Sequence, residues 1–107
     1  MPEPRNLLHP LPPAGESEHL EDLLARPGCR VERIVSHGQA STEGFWYDQA
    51  EDEWVVITEG GAALEFEDPA GTVWLARGDS LLIPAGCRHR VASTKSPTVW
   101  LAIWLPK

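Results

Sequence analysis

Long apolar runs are missing from this 107-residue chain, which excludes a helical membrane span of about 20 consecutive apolar residues. Basic residues are scarce. Nine Lys and Arg stand against 16 Asp and Glu, for a formal charge of −7. Arg88 and Arg90 are the closest basic pair, so neither a nucleic-acid backbone nor an anionic membrane surface is an expected partner. The two cysteines, Cys29 and Cys87, are too few for a disulfide framework and lack zinc-type spacing. Met1-Pro2-Glu3-Pro4-Arg5 lacks the apolar core of a secretion signal. The expected setting is therefore the cytoplasm, with reduced thiols. No internal repeat or low-complexity tract is present, and the length suits one small domain.

What the chain does carry is 42% apolar residues, including five tryptophans. Five of the ten prolines fall within the first 16 residues, which predicts an extended arm at residues 1–16, with Asn6-Leu7-Leu8 as a short edge strand. Ser17 to Arg26 is predicted to be a helix. Ser17 suits its N-cap, Leu20, Leu23 and Leu24 form one apolar stripe, and Pro27-Gly28 stops it. Beyond it the pattern changes to short strands separated by turns. Strands are predicted over Arg30–Ser36, Glu53–Thr58, Ala62–Glu67, Thr72–Ala76, Ser80–Ile83, His89–Ser93 and Thr98–Leu105. Turns roughly every ten residues argue for an antiparallel sandwich or barrel. The organisation expected is an arm and helix over 1–28 packed on a barrel domain over 29–107.

The most informative stretch runs from Gly78 to Val91. Gly78-Asp79 suits a sharp reversal, Ser80-Leu81-Leu82-Ile83 a buried strand, and Pro84-Ala85-Gly86 a second turn. His89 then shares a strand face with Val91, so a core Val91 implies an inward imidazole that needs a partner. Gly78, Pro84, Gly86 and His89 stand at the spacing of the second sequence motif of the cupin family, and the chain resembles that family. The place where the family usually ends the motif with Asn is Ser93 here. Gly44-Phe45-Trp46-Tyr47-Asp48-Gln49 and Asp52-Glu53-Trp54-Val55-Val56 resemble the first motif of a subgroup of small bacterial cupins. The resemblance implies an antiparallel jelly-roll β-barrel, preceded here by the Pro-rich arm and one short helix.

It also implies a partner for His89. The family's first motif places a glutamate seven residues before a glycine, as Glu53 stands before Gly60. The usual His-x-His pair is lacking, and the place of its second histidine falls on Gln49 or Asp48. Two readings stay open. In one, His89, Glu53 and Gln49 or Asp48 hold one divalent metal ion (zinc, manganese, iron or nickel), with water completing the shell. In the other, His89 and Glu53 form a buried hydrogen-bonded ion pair. His37 is expected in a loop, His9 and His19 solvated, Cys87 buried beside the strand, and Arg88 and Arg90 turned to solvent.

Three kinds of function fit these readings. The first is a metal-dependent enzyme acting on a small organic molecule in the barrel. The second is a module that binds or senses a small ligand without turnover, and the third a packed barrel that works through its surface. Exposed edge strands further suggest a homodimer.

Overall fold

The computed structural model describes residues 1–106 and contains eight strands: β1 (His19–Arg26), β2 (Cys29–Ser36), β3 (Glu51–Glu59), β4 (Gly61–Glu67), β5 (Ala70–Ala76), β6 (Ser80–Ile83), β7 (His89–Thr94) and β8 (Thr98–Pro106). They form a five-stranded sheet, in the order β1-β2-β8-β3-β6, and a three-stranded sheet, β5-β4-β7. All pairings are antiparallel. Alternate residues of the facing strands fill the space between the sheets. Val55 and Ile57 of β3, Leu64 of β4, Ile83 of β6, and Trp100 and Ala102 of β8 make its centre.

The predicted helix over Ser17–Arg26 is corrected to strand β1, and among the described residues no helix forms. The cause is a register shift between Asp22 and Leu24. Such a bulge adds one residue to the strand and breaks the two-residue alternation. Leu20 pairs with Ile34 before it and Leu24 with Val31 after it, so the leucines land on opposite faces at spacings that imitate a helical stripe. Pro27-Gly28 is the loop of the β1–β2 hairpin, with Gly28 at φ 81°. Asn6-Leu7-Leu8 does not form the expected strand. The lead-in is tied down by side chains instead: Arg33 donates to the Leu7 carbonyl at 3.0 Å and Gln39 to the Gly15 carbonyl at 2.8 Å, while the His37 ring nitrogen Nε2 lies 3.0 Å from the Pro12 carbonyl.

The β3–β4 reversal requires glycine at position 60. Its φ is 83°, and a Cβ there would run into the Pro97 carbonyl and lie 2.7 Å from the Thr98 Cα. On the outer face of the large sheet, Leu24, Val31, Ile103, Trp54 and Leu82 stand in one cross-strand line through all five strands. Leu24, Trp54 and Leu82 in that line are exposed.

Candidate functional site

Between the sheets lies a cavity of about 300 Å³ lined by His89, Glu53, Gln49, Tyr47, Glu32 and Glu18, among others. His89 enters it because of the turn before β7. The Cys87 N–H bonds the Pro84 carbonyl at 3.1 Å, Gly86 takes φ 79°, and β7 then begins with His89 facing inward. The His89 Nδ1 lies 2.9 Å from the Cys87 carbonyl. A carbonyl only accepts, so Nδ1 carries the proton, and Nε2 of the neutral ring keeps a free lone pair. That lone pair faces Glu53 Oε1 at 3.8 Å, too far for a hydrogen bond. Burial holds the His89 pKa below its ordinary 6.5, with the Cys87 bond opposing, so the ring is neutral near pH 7.

Glu53 faces inward with Val55 and Ile57 through the alternation of β3. It is 6% exposed. Burial pushes its pKa up to about 7, and the negative charge of Glu32 adds to the rise. A hydrogen bond from Gln49 and the charge of Arg30 pull it back in part. Glu53 and His89 sit on different sheets, so the pair spans the sandwich.

Gln49 is placed by its carbonyl, which accepts the Gly86 N–H at 2.8 Å. Asp52 helps by accepting the Ala85 N–H at 2.8 Å. Of the four expected metal ligands, His89, Glu53 and Gln49 therefore share one cavity. Asp48 is exposed and outside it. His37 ties the lead-in to the barrel rather than lining the cavity, and His9 and His19 are exposed. Cys87 packs against the core. Arg88 pairs with Glu67 on the surface, but Arg90 is not free in solvent: it bonds Glu65 at 2.9 Å and the Ser41 carbonyl at 3.0 Å.

Tyr47, Glu32 and Glu18 were not expected. Tyr47 N–H bonds the His89 carbonyl at 2.7 Å, and His89 N–H returns a bond to the Tyr47 carbonyl at 3.1 Å. The two rings stack at 5.4 Å, with Phe66 on the histidine at 5.9 Å. Burial raises the Tyr47 pKa and nearby carboxylates add to the rise, so the phenol stays protonated. Its spacing, two residues before Gln49, was the available signal. Glu32 on β2 accepts from the Trp104 indole at 3.4 Å and from Arg30 at 3.4 Å.

The donors fit a metal ion only in part. His89 Nε2 and the Glu53 carboxyl are strong donors and Gln49 is a weak one. Among the described residues no group of three His, Cys, Asp or Glu side chains stands close enough to hold an ion. Resident zinc centres use at least three strong protein donors, so the set is one short.

The family profile described as a cupin domain matches residues 32–104. The chain belongs to the cupin family. No curated protein matches it. Among solved structures, one from Ralstonia eutropha JMP134, described as a "putative mannose-6-phosphate isomerase", is 44% identical, with a TM-score of 0.93 over 99% of this chain and 100% of that one. A cupin superfamily protein from Desulfitobacterium hafniense DCB-2 is 18% identical, with a TM-score of 0.81 over 100% and 94% of the two chains. An RmlC-like cupin from Desulfovibrio desulfuricans is 17% identical, with a TM-score of 0.72 over 100% of each. This cupin thus shares the jelly-roll barrel, and no helix in its described residues is long and apolar enough to cross a membrane.

Proposed function

We propose that this cupin binds a small organic molecule in the barrel and moves a proton on it, with Glu53 and His89 as the proton-transfer couple. The observation carrying this reading is a carboxyl with a pKa of about 7 facing an unprotonated imidazole nitrogen 3.8 Å away. A group poised near the working pH serves best as general acid or base. Glu53 takes or returns a proton at carbon, Nε2 of His89 accepts one, and the protonated Tyr47 hydroxyl donates to an oxygen that gains charge. Interconversion of a hydroxyaldehyde and a hydroxyketone needs these roles: a base removes the C–H proton, the carbonyl oxygen receives a proton, the neighbouring hydroxyl gives one up as it becomes the new carbonyl, and the first proton returns at the former carbonyl carbon. The description of the 44%-identical relative as an isomerase is in keeping with this chemistry.

The test is solvent-deuterium wash-in, followed by NMR, over a panel of small hydroxycarbonyl compounds. Protein-dependent incorporation that falls at least a hundredfold in both Glu53→Gln and His89→Ala is the expected result. Incorporation unaffected by either substitution, or none across the panel, rejects the reading.

A second reading rests on the Nδ1 bond to the Cys87 carbonyl, which presents Nε2 as ligating histidines are presented. In it His89, Glu53 and Gln49 hold one exchangeable divalent ion (zinc, manganese, iron or nickel) that supplies Lewis-acid chemistry when bound. Metal content of untagged protein beside His89→Ala decides this. Near-stoichiometric metal lost in the variant supports it, and none in either after reconstitution rejects it.

The outer apolar line from Leu24 to Leu82 supports a homodimer joined through the large sheets. The unpaired Cys29 and Cys87 suit the reducing cytoplasm.

A further inference from the structure

We propose that the barrel cavity selects a protonated amine carried on an apolar body and turns away phosphorylated sugars. The proposal rests on the cavity being the ligand site, as the preceding section reads it, and adds the class of ligand.

The charge inventory of the wall carries the argument. Three carboxylates, Glu18, Glu32 and Glu53, line the cavity against a single guanidinium, Arg30. That guanidinium is already engaged. It lies 3.4 Å from Glu32 and 3.5 Å from Asp22, and it stacks over the Trp104 ring at 5.0 Å. His89 offers a lone pair rather than a charge, because its Nδ1 proton is committed to the Cys87 carbonyl. Glu53 is 94% buried by its 6% exposure, opens into the cavity and has no cationic side chain paired with it.

A phosphate dianion entering here would meet carboxylates with no free cation to receive it. Burying an unpaired anion beside like charges is strongly unfavourable. A neutral polyol would find hydrogen bonds but would leave the excess negative charge uncompensated. An ammonium group has three donors and a positive charge, and it satisfies the carboxylates as no neutral group does. Apart from Gln49 and Tyr47 the remaining wall is apolar, with Ile34, Leu64 and Trp100 available to the body of the ligand, and aromatic faces add attraction for a cation.

The experiment follows the Trp100 and Trp104 indole N–H resonances during titration with cyclohexylammonium, mannose and mannose 6-phosphate. It is run on the native protein and on Glu32→Gln and Glu53→Gln, whose spectral dispersion reports folding. The expected result is saturable movement of both indoles with cyclohexylammonium. Its affinity should fall at least tenfold in each variant and weaken with added sodium chloride. Mannose 6-phosphate should leave both resonances in place. Tighter binding of mannose 6-phosphate, or of mannose, would overturn the ligand class while leaving the cavity as the site. Silence of both indoles with all three probes also overturns it. The deuterium wash-in screen judges proton transfer separately, so amine binding without exchange would uphold this inference and reject that chemistry.

Discussion

Tyr47 and His89 are joined by a reciprocal pair of backbone hydrogen bonds, 2.7 and 3.1 Å, that lays their rings against each other at 5.4 Å. The imidazole is thereby held from both ends, by this stack and by the Cys87 carbonyl. Tyr47→Phe keeps the stack and removes only the hydroxyl. Tyr47→Ala loses ring contacts and should cost about 1–3 kcal/mol. Urea denaturation of the two variants checks this. A phenylalanine variant as unstable as the alanine one would show that the hydroxyl, and not the stack, holds the site.

Glu53 has a folded pKa of about 7 against an ordinary 4.5. Between those values the folded protein retains a proton that the unfolded chain has released. Its contribution to stability therefore falls as pH rises from about 4.5 to about 7 and stays low above that. Glu53→Gln removes the penalty and should stabilise the protein by about 2–3 kcal/mol at pH above the transition. Melting temperature against pH for both proteins tests it; curves that run parallel through the window contradict it.

His89 acts in the opposite direction. Its folded pKa lies below the ordinary 6.5, so its contribution is present above that value and is lost as pH falls through the folded pKa. In Glu53→Gln, with the carboxyl gone, stability should decline on acidification below 6.5. Nitrogen-15 shifts of the ring should show Nδ1 protonated at neutral pH. A ring protonated on Nε2 would contradict the Cys87 assignment.

Gly60→Ala places a methyl group against the Pro97 carbonyl and keeps an L-residue at φ 83°. A loss of about 2 kcal/mol or more is expected, since both strain and collision oppose it. Chemical denaturation measures it, and a loss below about 1 kcal/mol would mean the β3–β4 turn shifts at little cost.

Trp54→Glu puts a charge into the apolar line on the large sheet, between Ile103 and Leu82. The native protein should run as a dimer in light scattering and the variant as a monomer with the same fold. A native monomer would dispose of the proposed interface.

The inward histidine was legible because Gly78, Pro84 and Gly86 fix the turns on both sides of β6 and so the phase of β7. Glu53 was legible because it stands seven residues before Gly60, as the family's first motif places its glutamate, and the alternation of β3 with Val55 and Ile57 turns it inward. Strand β1 was not, since its bulge converts a two-residue period into spacings that resemble a helical stripe. Glu32 was hidden for a different reason. On β2 one face carries Arg30, Glu32 and Ile34 and the other Val31, Arg33 and Val35, so composition does not mark which face is inside. Arg33 illustrates the point: it is 3% exposed, yet it lies on the outer face beneath the lead-in segment.

Because Glu53 belongs to the five-stranded sheet and His89 to the three-stranded one, no ladder hydrogen bond sets the gap between them. A slide of one sheet over the other changes that gap before it breaks any strand pairing. The width of the barrel, rather than a strand register, then decides whether the carboxyl and the imidazole come within hydrogen-bonding reach of one another.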